Sequence, residues 1–221
     1  MNLDGAISLL IACIELLYII NILIYAEKSL TNKLLIATIG LLFGYQFIEF
    51  FICFMGLQNQ IFIYLALLDI TLLPPLGLYT VIQYTGKLKS YHKYIFLPAL
   101  FFIIYYPLVL DKLAVTKCTV LYAMYNYPLG PLYATFYYLP IIGTMIILNK
   151  RWGSETDPKQ KALVRYYFFG YIFTFIPGMI IALFWQTFVT AVESLLCKLA
   201  FVLATFLTIF VLKNKSKLKL E

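Results

Sequence analysis

Seven times along this chain a run of about twenty mostly apolar residues is closed by a short polar stretch. Twenty residues of α-helix rise about 30 Å, the thickness of a bilayer's hydrocarbon core. A segment crossing that core must satisfy every backbone N–H and C=O internally, and for apolar runs of this length the helix does so. The spacing therefore predicts an all-α polytopic membrane protein, a bundle of seven transmembrane helices. The spans fall at about Gly5–Tyr25, Leu34–Gly56, Ile61–Tyr84, Tyr94–Leu110, Leu129–Leu148, Leu163–Trp185 and Phe188–Leu212. Residues 1–212 form one domain, and 213–221 a basic cytoplasmic tail. Composition agrees: 63% of the 221 residues are hydrophobic and only 12% charged, against about 25% charged in soluble domains. No Lys or Arg precedes the first run and no small-residue cleavage site follows it, so it reads as a retained span.

The loops set the orientation. Of the 17 Lys and Arg residues, Lys112 and Lys117 lie in loops on one side and Lys198 lies within a span. The other fourteen lie after spans one, three and five and in the tail. The positive-inside rule then puts the N-terminus outside and the C-terminus in the cytoplasm, in the plasma membrane. The net charge of +7 follows from these loops and does not point to nucleic acid; the bilayer is the expected partner. The basic stretch Lys150–Arg165 offers a face to anionic lipid or a cytoplasmic partner, although topology alone accounts for it. Pro74 and Pro75 in span three, Pro98 and Pro107 in span four and Pro177 in span six mark kinks. The longest loop is about Asp111–Pro128. Trp152 and Trp185 read as interfacial anchors. The chain carries no internal repeat of the kind seen in inverted-repeat transporters.

Lys198 lies in the middle of the last span. An ammonium at that depth costs roughly 2.5–3.5 kcal/mol even on lenient insertion scales, so something must neutralise it. Counting about 1.5 Å per residue puts Lys198 and Glu15 near the midplane and Glu49 and Asp69 about 10–12 Å below the outer surface, with Glu193 shallower. Four carboxyls and one amine thus share the outer half, which describes a polar pocket reached from outside and sealed below. Glu49 or Asp69 is the expected partner of Lys198; Glu193, five residues earlier on the same helix, points some 140° away. Gln46 and Glu49 share a face of span two and suit an ion, a polar headgroup or the ammonium. The run Phe168–Pro177 could line a planar ligand site, although ordinary packing explains it as readily.

The single His92 cannot build a multi-histidine zinc site. The cysteines, Cys13, Cys53, Cys118 and Cys197, show no paired spacing and imply neither a metal site nor a disulfide framework. With no nucleophile elbow, P-loop or glycine-rich dinucleotide fingerprint, enzymatic activity is not expected.

In layout and in three short motifs the chain resembles the microbial rhodopsins. These place a retinal-bearing lysine midway along span seven, as Lys198 stands here. An acidic counterion six residues before a proline is matched by Asp69 and Pro75, an aromatic four residues before a proline by Phe173 and Pro177, and a serine four residues before the lysine by Ser194. The resemblance implies a retinal Schiff base on Lys198 with Asp69 as counterion and Phe173, Pro177 and Ser194 around it. The chain departs from that family at Ala66 (usually arginine), at Ile70 and Phe173 (usually tryptophan) and at Thr80 (the usual proton donor). It also resembles an uncharacterised bacterial family of small seven-span proteins in Gln46 with Glu49, Pro74 with Pro75 and Ser194 with Cys197. The expected function is a rhodopsin-like sensor or photoreceptor. The alternative is a non-photochemical binding or ion-transport protein in which Glu15, Gln46, Glu49, Asp69, Glu193 and Lys198 hold an ion, a proton or a lipid headgroup. A homo-oligomer is compatible with either.

Overall fold

A computed structural model of the chain describes residues 4–184 and 192–214, with side chains over 4–180 and 194–214. Trp185, the side chain of Glu193 and most of the basic tail lie outside the described residues. The helices are α1 (Ala6–Tyr25), α2 (Leu30–Cys53), α3 (Gln60–Tyr84), α4 (Leu97–Tyr105), α5 (Gly130–Ser154), α6 (Pro158–Phe184) and α7 (Val192–Lys213). Short 3-10 segments, Ser90–Phe96 and Tyr106–Lys112, flank α4. Taken with these extensions, seven helical stretches are long and apolar enough to cross a membrane, and the chain is an integral membrane protein.

Local chemistry explains several boundaries. The Ser29 hydroxyl accepts from the Asn32 N–H at 3.1 Å and starts α2 four residues before the expected position. Asn59 caps α3 in the same way through the Ile61 N–H. α3 runs unbroken through Pro74 and Pro75. Span four, expected as one helix, instead tightens to 3-10 geometry at both ends; Pro98 and Pro107 each sit in the first turn of a new segment, where a missing N–H does no harm.

α1, α2, α3, α5, α6 and α7 form a closed ring of neighbours, α2 also touches α7, and α4 lies outside against α3 and α5. The central seam is apolar: Leu35, Ile39 and Leu42 of α2, Leu67 and Ile70 of α3, and Leu203, Ala204 and Leu207 of α7 are all buried. Polar cross-links supplement it. Tyr18 of α1 meets Thr205 of α7 at 3.0 Å, Thr71 of α3 meets Tyr133 of α5 at 3.0 Å, and Thr174 of α6 donates to the Leu199 carbonyl of α7 at 3.2 Å. Such links are worth about 0.6 kcal/mol each in membrane bundles, so they orient helices more than they hold them.

The long loop is where the sequence reading is corrected most. Ala114–Cys118 (β1) and Ala123–Asn126 (β2) pair as an antiparallel hairpin whose register shifts between Val115 and Lys117. Ala123 and Tyr125 are buried, so the hairpin folds onto the end of the bundle. A disulfide joins Cys53, the last residue of α2, to Cys118 at the end of β1. The two cysteines, 65 residues apart, carry no local spacing signal; only the folded hairpin brings them together. Gly5 completes the junction. It has φ 77°, its N–H donates to the Thr119 carbonyl at 3.2 Å, and a Cβ there would lie 3.0 Å from that of Cys53. A side chain would be strained both in backbone and in space.

Candidate functional site

Beneath the hairpin, α1, α2 and α7 bring five polar side chains together. Lys198 donates to three acceptors: the Ser8 hydroxyl at 2.8 Å, Gln46 Oε1 at 2.7 Å and Glu49 Oε1 at 2.5 Å. Its contact with Glu49 is an ion pair, with side-chain exposures of 9% and 1%. Three donors on the ammonium thus find three acceptors.

The partners are themselves held. Ser8 donates to Glu49 Oε1 at 3.0 Å and Ser194 donates to Glu49 Oε2 at 2.8 Å. Gln46 turns its amide nitrogen to the Cys197 carbonyl at 2.7 Å, which orients its oxygen toward the ammonium. Ser194 in turn accepts from the Ala123 N–H of the hairpin at 2.9 Å. Helical spacing explains the convergence: Gln46 and Glu49 are one turn apart on α2, as are Ser194 and Lys198 on α7. The expectation that Glu49 or Asp69 neutralises Lys198 therefore resolves to Glu49.

One expectation about this region needs correction. The sequence predicts a pocket open at this end, but the hairpin covers the cluster and the Ala123–Ser194 bond joins the two. Lys198 lies one helical turn from that serine.

Asp69 is elsewhere. Its carboxylate packs against α2 at Gly44, where a Cβ would sit 2.5 Å from Oδ2, and it has no hydrogen-bond donor among the described residues. Glu15 is fully buried on the same α1 face as Ser8, and neither of its oxygens has a hydrogen-bond partner among the described residues. Ser194 stands out in the sequence only through the two family resemblances, and Ser8 does not stand out at all, because an isolated serine in an apolar helix gives no signal.

The residues present do not fit a retinal on Lys198. The amine is engaged on all three donor directions, and Asp69 is not among its partners. Phe173 is 53% exposed and Pro177 is also exposed, so both face away from the lysine. Phe173 stacks instead on Phe169 and Phe206, and Trp152 packs against Phe168 and Phe169. The interior cavity beside Cys197, between Leu42, Pro74 and Tyr171, has a volume of about 20 Å³, room for about one water. Groups of three or more His, Cys, Asp or Glu that could hold a metal are absent among the described residues. No protein family, curated protein or solved structure matches the chain.

Proposed function

We propose that this chain is a proton- or cation-responsive binding or transport protein of the plasma membrane, centred on Glu15, Glu49 and Lys198. The observation that carries the reading is a charge count. Two fully buried carboxyls share one ammonium; Glu49 holds it, while Glu15 is left with both oxygens unpartnered among the described residues. An isolated buried carboxylate is costly. One more positive charge at Glu15, a proton or a small monovalent cation, balances the cluster. Lys198 then has two alternative partners, and occupancy of Glu15 sets which one it takes.

A shift of Lys198 would be felt at the outer face. Glu49 is bonded to Ser194 and Ser194 to the hairpin, so loosening the Lys198–Glu49 pair loosens the cap. The orientation that puts this cap outside is part of the proposal. It is supported by the positive-inside asymmetry and by the disulfide at the same end as Gly5, since disulfides persist in oxidising compartments.

The test is thermal unfolding of the purified full chain in neutral detergent, titrated with acid and separately with sodium or potassium. Ligands that bind only the folded state raise its melting temperature. Wild type should respond to acid or to one cation. Glu15→Gln, which mimics the neutralised state, should start more stable and respond to neither. A Glu15→Gln protein that responds as wild type does would refute the reading. A visible absorption band on adding retinal, lost in Lys198→Ala, would replace it with the photoreceptor.

A further inference from the structure

At the opposite end of the bundle a second polar site stands apart from the Lys198 cluster. A cavity of about 250 Å³ opens between the end of α3, the 3-10 segment Ser90–Phe96 and the end of α5. Lys87, His92, Lys150 and Arg151 supply its charged and titratable lining; Ile82 and Ile147 supply an apolar wall. We propose that this cavity binds a phosphoryl group, either as free phosphate or as the headgroup of an anionic lipid.

Three features make it a site and not merely a basic surface. First, the cations come from separate elements and converge on one concavity, and among the described residues no Asp or Glu lines it. Glu155, next in the chain to the lining residue Ser154, is in ion-pair contact with Arg151 at 2.6 Å. Its other oxygen accepts the backbone N–H groups of Thr156 and Asp157. With Lys87, Lys150 and Arg151 against Glu155, two positive charges remain uncompensated.

Second, three carbonyls at the end of α3, which would otherwise face an anion unpaired, accept hydrogen bonds from the chain that follows. Val81 accepts from Thr85, Gln83 from Gly86, and Ile82 from Lys87. Third, His92 keeps a donor in the lining. Its Nδ1 accepts the Lys89 N–H at 2.8 Å, which leaves the proton on Nε2. Several cations and a neutral donor arrayed around one space suit the three or four oxygens of a phosphoryl group, and each such charge-assisted bond is about twice as strong as a neutral one. The isoleucines add a wall for the glycerol or acyl portion if the phosphate is a lipid's, as basic pockets between transmembrane helices accept.

The full-length protein in neutral detergent is titrated with inorganic phosphate and with dioctanoyl phosphatidic acid, read by melting temperature and by calorimetry. Lys87→Gln/Lys150→Gln should weaken binding roughly tenfold or more. Both lysines are exposed and neither side chain has a hydrogen-bond or ion-pair partner among the described residues, so folding should survive. Lys159→Gln/Lys161→Gln removes the same charge from the same face but outside the cavity, and it should leave the affinity within about a factor of two. Equal affinity for the two probes identifies free phosphate as sufficient; tighter binding of the lipid assigns a headgroup site. Equal losses in the two double variants, or no binding of either probe to wild type, would overturn the proposal.

Discussion

The Lys198–Glu49 pair makes a quantitative demand on stability. Lys198→Met removes an ammonium that bonds to Ser8, Gln46 and Glu49 and leaves a carboxylate that is 1% exposed. Breaking a buried pair by removing one partner costs about 3–5 kcal/mol, because the remaining charge is uncompensated. Ser8 and Ser194 still donate to Glu49, which places the expected loss at about 3 kcal/mol, the lower end. Glu49→Gln strands the ammonium instead and should cost a similar amount. The double variant strands neither charge, so the two effects should cancel in part, with a coupling energy of about 2 kcal/mol or more. The assay is equilibrium unfolding of the four proteins in the same detergent. The companion cycle of Lys198→Met with Asp69→Asn serves as control, since Asp69 lies against Gly44 and outside the cluster; its effects should add within about 0.5 kcal/mol. Additive losses in the Glu49 cycle, or strong coupling in the Asp69 cycle, would refute the arrangement of charges described above.

Ser194→Ala removes a donor to Glu49 and an acceptor for the Ala123 N–H, and should cost about 1–3 kcal/mol while making the hairpin more susceptible to proteolysis. Gly44→Ala should cost no more than about 1 kcal/mol, because its Cβ would meet only the tip of the Asp69 side chain, which can turn aside, and Gly44→Ala/Asp69→Ala should recover that loss in the same melting assay. Reduction of the Cys53–Cys118 bond, which spans 65 residues, should lower stability by at most about 4 kcal/mol; non-reducing peptide maps should join the two cysteines, and a map with both thiols free would remove the hairpin anchor. Tags at the N-terminus should be reached from outside intact cells and tags after Leu220 only from within, and the reverse result in a protease-protection assay would invert the orientation.

Seven spans and the helical class were legible in the sequence because they depend on a local quantity, the length of an apolar run. So was the demand that Lys198 be neutralised, since the penalty attaches to any ammonium in an apolar helix. The partner was narrowed to Glu49 or Asp69 but not chosen. Choosing needs the rotation of each helix, and a membrane helix hides it. Lipid is as apolar as the core, so the stripe that betrays the buried face of a soluble helix is absent when apolar residues surround the helix. The same ambiguity placed Phe173 and Pro177 around a ligand when both face outward. The tertiary structure alone decided what depends on pairs distant in the chain: Cys53 with Cys118, Ser8 and Ser194 on one carboxylate, the hairpin over the cluster, and Glu15 left without a partner among the described residues. No local pattern encodes such pairs, because each is fixed only when packing sets which helix faces meet.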